Sequence, residues 1–138
     1  MDRKLLKISA VSKEVGLSVP TIRYYCDLGM IPSICRNDDG ERVFDDEAIT
    51  WLQGIKFQRE LGIPISKIKE YIKLSQATGP AALKKRHAML LEQREKAKSD
   101  LLEATERLDI LDAKIKSEEE IINGKKSDSL SAARRFSQ

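Results

Sequence analysis

Leu17-Ser18-Val19-Pro20-Thr21-Ile22-Arg23-Tyr24-Tyr25-Cys26-Asp27-Leu28-Gly29 carries its own start signal, stop signal and polar face, and the rest of the chain is read outward from it. Ser18 is placed to cap the first free amides of a helix, Pro20 falls in the first turn where a missing N–H costs little, and Gly29 supplies the left-handed residue that ends it. Val19, Ile22 and Cys26 recur at helical spacing and are expected on a core face, leaving Thr21, Arg23, Tyr24 and Tyr25 to project. An arginine, two tyrosine hydroxyls and a threonine suit phosphate oxygens and base edges. A plain amphipathic helix with half-buried tyrosines would carry the same residues, so the flanking chain has to decide.

Upstream, Ile8 to Leu17 reads as a short helix with Ser9 as its cap, Val11 and Val15 on one face and Gly16 as its exit. Two short helices joined by a tight turn containing glycine are a helix-turn-helix, in which the first braces the second across a groove. Downstream, Met30-Ile31-Pro32 leaves the helix, and Ser33 to Arg36 and Glu41 to Phe44 flank Asn37-Asp38-Asp39-Gly40. Asp-Gly between two potential strands predicts a two-stranded hairpin wing, with Arg36 and Arg42 on its arms and in reach of phosphates. The neighbouring Asp38, Asp39 and Glu41 argue the other way, for arginines that only solubilise the hairpin.

Asp45-Asp46-Glu47 places negative charge at the start of a third helix, whose Ile49, Leu52 and Ile55, with Trp51, are expected in the core. Ile63-Pro64-Ile65 opens a fourth, with Ile65, Ile68 and Ile72 on one side and Lys67, Lys69 and Lys73 on the other. From Leu83 the pattern changes. Steps of four and three pass through Leu90, Ala97, Leu101, Leu108, Leu111 and Ile115 with no glycine or proline until Gly124, which is a coiled-coil seam. Glu92 and Lys96, Glu103 and Arg107, and Asp112 and Lys116 stand four apart in the favourable order on the exposed side. Such a helix is roughly 60 Å long at 1.5 Å per residue, more than the small module can cover, so a second copy of the chain is the expected partner.

The domain reading is therefore residues 6–76, a winged helix-turn-helix DNA-binding domain; 81–123, a dimerisation helix; and 124–138, a disordered polar tail. The net charge of +3 identifies no partner, since residues 1–80 carry 12 Lys/Arg against 11 Asp/Glu and the remainder 13 against 11. Any basic footprint has to be assembled by folding. The first residues lack the apolar run of a signal peptide, and no stretch approaches the ~20 apolar residues of a membrane span, so a cytoplasmic protein without a membrane partner is expected. Two cysteines, Cys26 and Cys35, fit free thiols in a reducing compartment.

This order of elements resembles the MerR family of bacterial transcription regulators, in a short form without an appended ligand domain. The resemblance covers about residues 6–122 and rests on Ile8-Ser9-Ala10-Val11 leading to Gly16-Leu17-Ser18, Thr21-Ile22-Arg23-Tyr24-Tyr25, Gly29-Met30-Ile31-Pro32, Gly40-Glu41-Arg42-Val43-Phe44 and Leu61-Gly62-Ile63. It implies a mainly α fold whose long helix forms an antiparallel coiled coil in a homodimer. It also implies a palindromic operator inside a promoter with an over-long spacer, distorted so that RNA polymerase can engage both promoter elements. Ser18, Thr21, Arg23, Tyr24 and Tyr25 look like recognition-helix contacts, and Arg36 and Arg42 like the wing's phosphate contacts. Pro20 and Glu41 depart from the family, standing where an arginine and a tyrosine are common.

The signal is the part least written in the residues. Metal-responsive relatives carry cysteines near both ends of the dimerisation helix and redox relatives an iron–sulfur cluster there, whereas this chain has no cysteine after Cys35. The short, aldehyde-responsive branch is the nearest match, but its reactive cysteine falls where this chain has Phe57. Cys26 and Cys35 are then the candidate sensor thiols for a stress signal, Cys35 helped by the adjacent Arg36 and Cys26 hindered by burial. His87 is the only histidine, so no metal site is expected, nor any other cofactor. No nucleophile, phosphate loop or acid–base pair suggests an enzyme. The remaining alternative is a coiled-coil protein whose small module binds another protein.

Overall fold

The computed structural model describes residues 4–137. Leu6–Lys7 forms a short strand, β1, which runs directly into helix α1, Ile8–Val15. Lys7, extended at φ −80° and ψ 159°, is the N-cap and no side chain caps the helix. Ser9 therefore does not cap α1, because the pairing of Lys7 with Val43 holds Lys7 extended and places the cap two residues earlier than expected. At the other end Gly16 takes φ 73° and its N–H reaches the Ser12 carbonyl at 3.0 Å. That left-handed turn aims the chain into α2, Val19–Asp27. Ser18 caps α2 as expected, its Oγ accepting from the Thr21 N–H at 3.2 Å. Gly29, at φ 71°, ends it.

The wing consists of β2, Cys35–Arg36, and β3, Arg42–Phe44, joined through a turn in which Asn37 Oδ1 accepts the N–H groups of Asp39 and Glu41 at 3.1 and 2.9 Å. Expected as a two-stranded hairpin, it belongs to a three-stranded antiparallel sheet of order β1-β3-β2, with Leu6 opposite Phe44 and Cys35 opposite Val43. Two residues of β1 are too few to show a strand periodicity, which is why the sequence hides it.

Asp45 caps α3, Asp46–Glu60, by accepting the Ala48 N–H at 2.7 Å, and Asp46 and Glu47 complement the positive end of the helix dipole. Helix α4, Ile65–Ser75, follows Pro64. Ile49, Leu52, Ile55, Ile68 and Ile72 are buried as their spacing requires, with Trp51 and Ile65 partly so. They meet Val11, Val15, Ile22, Met30, Ile31 and Phe44 in one core. A fully buried side chain of this size contributes about 1.5–3 kcal/mol, so this core holds the helix-turn-helix and the wing base as one body.

Helix α5 runs unbroken over Pro80–Ile122, 43 residues of which only Ala82 is buried. It starts one residue before the expected boundary, at a proline whose missing N–H would be unpaired in a first turn anyway. The chain falls into two compact units that divide between Leu90 and Leu91, inside this helix rather than at the expected 76–81. The first unit reaches so far because Arg86 Nη1 donates to the Leu74 and Ala77 carbonyls at 3.1 and 3.4 Å, fastening the first turns of α5 to the end of α4.

In the second unit the chain turns back after α5 and forms α6, Ala132–Ser137. The 124–138 segment, read above as disordered, thus has described structure up to Ser137, while residue 138 lies outside the described residues. Two of its basic residues are used internally, Lys126 Nζ donating to Ser117 Oγ at 2.9 Å and Arg135 pairing with Asp128 at 3.3 Å, and Lys114 of α5 donates from Nζ to the Arg135 carbonyl at 3.0 Å.

Candidate nucleic-acid interface

The core stripe of α2 decides which of its side chains can face a ligand. It is formed by Ile22, Tyr25 and Cys26, at 0, 5 and 9% exposure, with Val19 only partly covered. Positions i, i+3 and i+4 share a helix face, so Tyr25 is a core residue and not, as expected, a projecting contact. Arg23 is exposed and Tyr24 is 49% exposed. The two tyrosine rings stand 5.9 Å apart between centroids at 46°, so buried Tyr25 supports exposed Tyr24 from behind. Ser18 and Thr21 are joined hydroxyl to hydroxyl at 2.8 Å beside the cap, which places both at the entrance of the helix.

Folding brings Arg23, Arg36 and Arg42 around one shallow hollow of about 280 Å³ between α2 and the wing, completed by Ile8 and Glu41. The two wing arginines are held from within. Arg36 Nη1 donates to the Gly40 carbonyl at 2.6 Å, bracing the turn of its own hairpin, and Arg42 Nη2 donates to Asp27 Oδ1 at 2.5 Å. Glu41, which would repel a phosphate, faces Lys7 across the sheet at 3.6 Å. Lys7 and Asp27 escaped the sequence reading. The signal for Asp27 was available, since a carboxylate in the last turn of a helix opposes the dipole and calls for a cation.

Cys26 is buried, and that burial pushes its thiol above the ordinary range; Arg42 and Arg36 pull it down and Asp27 pushes it up by smaller amounts. The charge of Arg36 thus bears on Cys26, while its guanidinium is turned to the Gly40 carbonyl rather than to Cys35. Cys35 is exposed and its Sγ lies 3.6 Å from the Ser33 carbonyl. Phe57, at the position compared with a reactive cysteine, stands 61% exposed one turn from the equally bare Leu61.

Along α5, Leu90, Ala97, Leu101, Leu108, Leu111 and Ile115 are all exposed, the last four by more than half. Leu91, Leu102 and Ile110 add exposed apolar surface outside that line. Among the described residues no group of His, Cys, Asp and Glu could hold a metal, and no helix is long and apolar enough to cross a membrane.

Residues 6–75 match the model of the MerR helix-turn-helix family of regulatory proteins. The transcriptional regulator AdhR of Bacillus subtilis strain 168 is 35% identical over 91 residues, 66% of this chain and 64% of that protein, so the match spans just under two thirds of its length. A MerR-type regulator structure from Listeria monocytogenes superposes with a TM-score of 0.66 at 35% identity, covering 83% of this chain and 86% of that one. HiNmlR, a MerR family regulator lacking the sensor domain and solved on promoter DNA, shares the fold at a TM-score of 0.64 and 22% identity over 87% of this chain and 90% of its own. The family match begins at β1 and ends at the last residue of α4, taking in every element around the three-arginine hollow: the chain belongs to the MerR family of helix-turn-helix regulatory proteins.

Proposed function

We propose that this protein is a homodimeric, sequence-specific DNA-binding transcription regulator that engages a palindromic promoter operator. In this reading it controls RNA polymerase by distorting the promoter DNA in response to a stress signal or small-molecule effector. The observation that carries the reading is the gathering of Arg23, Arg36 and Arg42 around one hollow beside the exposed Tyr24. Arginines there suit phosphate oxygens, while the exposed flank of α2 suits base edges in a major groove. HiNmlR, which has the same fold, was solved on promoter DNA.

The exposed seam of α5 supports the second copy. Two half-sites separated by about one helical turn, roughly 34–36 Å, require two reading helices, and a two-fold dimer supplies them to a palindrome. Bending or untwisting a site of this length costs on the order of 1–6 kcal/mol, which two sets of phosphate contacts would offset. Sequencing of genomic fragments retained by the purified protein tests the reading. Enrichment of one inverted repeat upstream of genes supports it; retention without sequence preference, or none, overturns it.

A further inference from the structure

Asp27 is the last residue of α2, where unpaired carbonyls leave partial negative charge, and the last turn of that helix contains no basic residue. A carboxylate is electrostatically misplaced there on local grounds. Its compensation comes from outside the helix: Arg42, fifteen positions later on β3, donates from Nη2 to Asp27 Oδ1. The two partners are unequal, with the Arg42 side chain 23% exposed and that of Asp27 64% exposed. The arginine is thus the more enclosed member, reaching from β3, the middle strand of the sheet, to the end of α2.

A guanidinium carries five N–H donors, so one carboxylate oxygen does not exhaust it. Arg42 also lines the hollow shared with Arg23 and Arg36. We propose that Asp27 is a positioning residue for phosphate binding: it fixes Arg42 against the end of α2 so that the three guanidinium groups stand together around one DNA phosphate. The inference rests on the DNA-binding reading above. A planar donor set that is already oriented loses less freedom on meeting an oxyanion than a free arginine would. Asp27 also brings a negative charge close to a polyanion, and the two effects have opposite signs. Positioning acts only through Arg42, whereas repulsion acts on the phosphates whether or not Arg42 is present.

A double-mutant cycle separates them. Wild type, Asp27→Asn, Arg42→Gln and the double variant are titrated against two ~30-bp duplexes, the most enriched genomic fragment and a random sequence, at low and high salt. The expected result is that Asp27→Asn weakens binding about three- to tenfold when Arg42 is present. In the Arg42→Gln background the same change has no effect or tightens binding, and Asp27→Glu restores most of the affinity. Sedimentation and thermal unfolding check that each variant keeps its assembly and fold. Tighter binding by Asp27→Asn in both backgrounds reduces Asp27 to a repelling charge and overturns the proposal, as does equal weakening in both. Failure of the wild type to bind either duplex in a salt-dependent way overturns the DNA-binding reading itself and is seen before any variant is compared.

Discussion

Lys56, on α3, donates its ammonium to the Val15 carbonyl at the end of α1, 3.0 Å away. The bond closes the helix-turn-helix from behind, because a carbonyl left by the last turn of α1 meets a cation where the helix dipole is negative. The same Nζ lies 2.9 Å from where a Cβ on Gly16 would stand.

Lys56→Met should therefore cost about 1–2 kcal/mol of stability, since a charged donor is lost to a partly buried carbonyl. Gly16→Ala should cost at least as much: φ of +73° strains any L side chain, and its methyl would press on Lys56. Urea unfolding measures both. Unchanged midpoints would show that the turn is held by other contacts.

The two tyrosines of α2 should separate cleanly. Arg23→Ala and Tyr24→Phe are expected to weaken operator binding with little change in stability, and Arg23→Ala should lower the salt slope by about one ion if it meets a phosphate. Tyr25→Ala should instead destabilise the domain by about 3–5 kcal/mol, as truncation of a buried aromatic does. Binding titrations paired with thermal melts distinguish the roles; a stable Tyr25→Ala variant that fails only in binding would return Tyr25 to the reading face.

On α5, Leu101→Asp and Leu108→Asp place a charge on the proposed seam and should abolish self-association, with operator affinity falling alongside because each half-site alone binds weakly. Sedimentation equilibrium is the measurement. A dimer that survives both substitutions would place the interface elsewhere, on the surface carrying Leu102 and Ile110 for example.

Thiol chemistry should follow burial. At mildly alkaline pH, iodoacetamide is expected to modify Cys35 in the folded protein and to reach Cys26 only in denaturant, as mass spectrometry would count. Burial raises the folded pKa of Cys26 above its unfolded value, so the folded state holds the proton longer. The contribution to stability is fully present below the unfolded pKa and is lost as pH rises through the folded one. Cys26→Ala should remove that alkaline slope; an identical pH profile in the variant would mean that Cys26 titrates alike in both states. A promoter response to diamide that persists in a Cys35→Ser variant would exclude Cys35 as the sensor.

The helices were legible wherever a cap or a period was strong. Ser18, Asp45, Gly16 and Gly29 mark ends by chemistry local to a few residues, and Ile49, Leu52 and Ile55 mark a face by spacing alone. Tyr25 was misplaced because Val19-Ile22-Cys26 and Ile22-Tyr25-Cys26 are equally good helical stripes, and only burial in the common core chooses between them. The arginines of the site were legible as residue types but not as a group. Their convergence depends on the register of β3 and on Asp27, both set by tertiary contacts, and on the hairpin turn that the bond from Arg36 to Gly40 braces. Helix α6 was not read because composition cannot show that Lys114, 21 and 22 positions before Arg135 and Phe136, will take their backbone carbonyls.

The middle position of β3 has a consequence for movement. Its neighbour β1 ends at Lys7, and Lys7 is also the N-cap of α1, so no joint lies between that edge of the sheet and the first helix. A hinge needs a few residues free to absorb changes in backbone angle, and here those residues are committed to pairing on one side and to helix on the other. This end of the sheet is therefore coupled directly to α1, and the two would move together. In the function proposed above, a twist of promoter DNA would then come from re-aiming the two DNA-binding units of a dimer, and trimming or tagging the chain at Leu5 or Leu6 would detune the wing from the far end of the sheet.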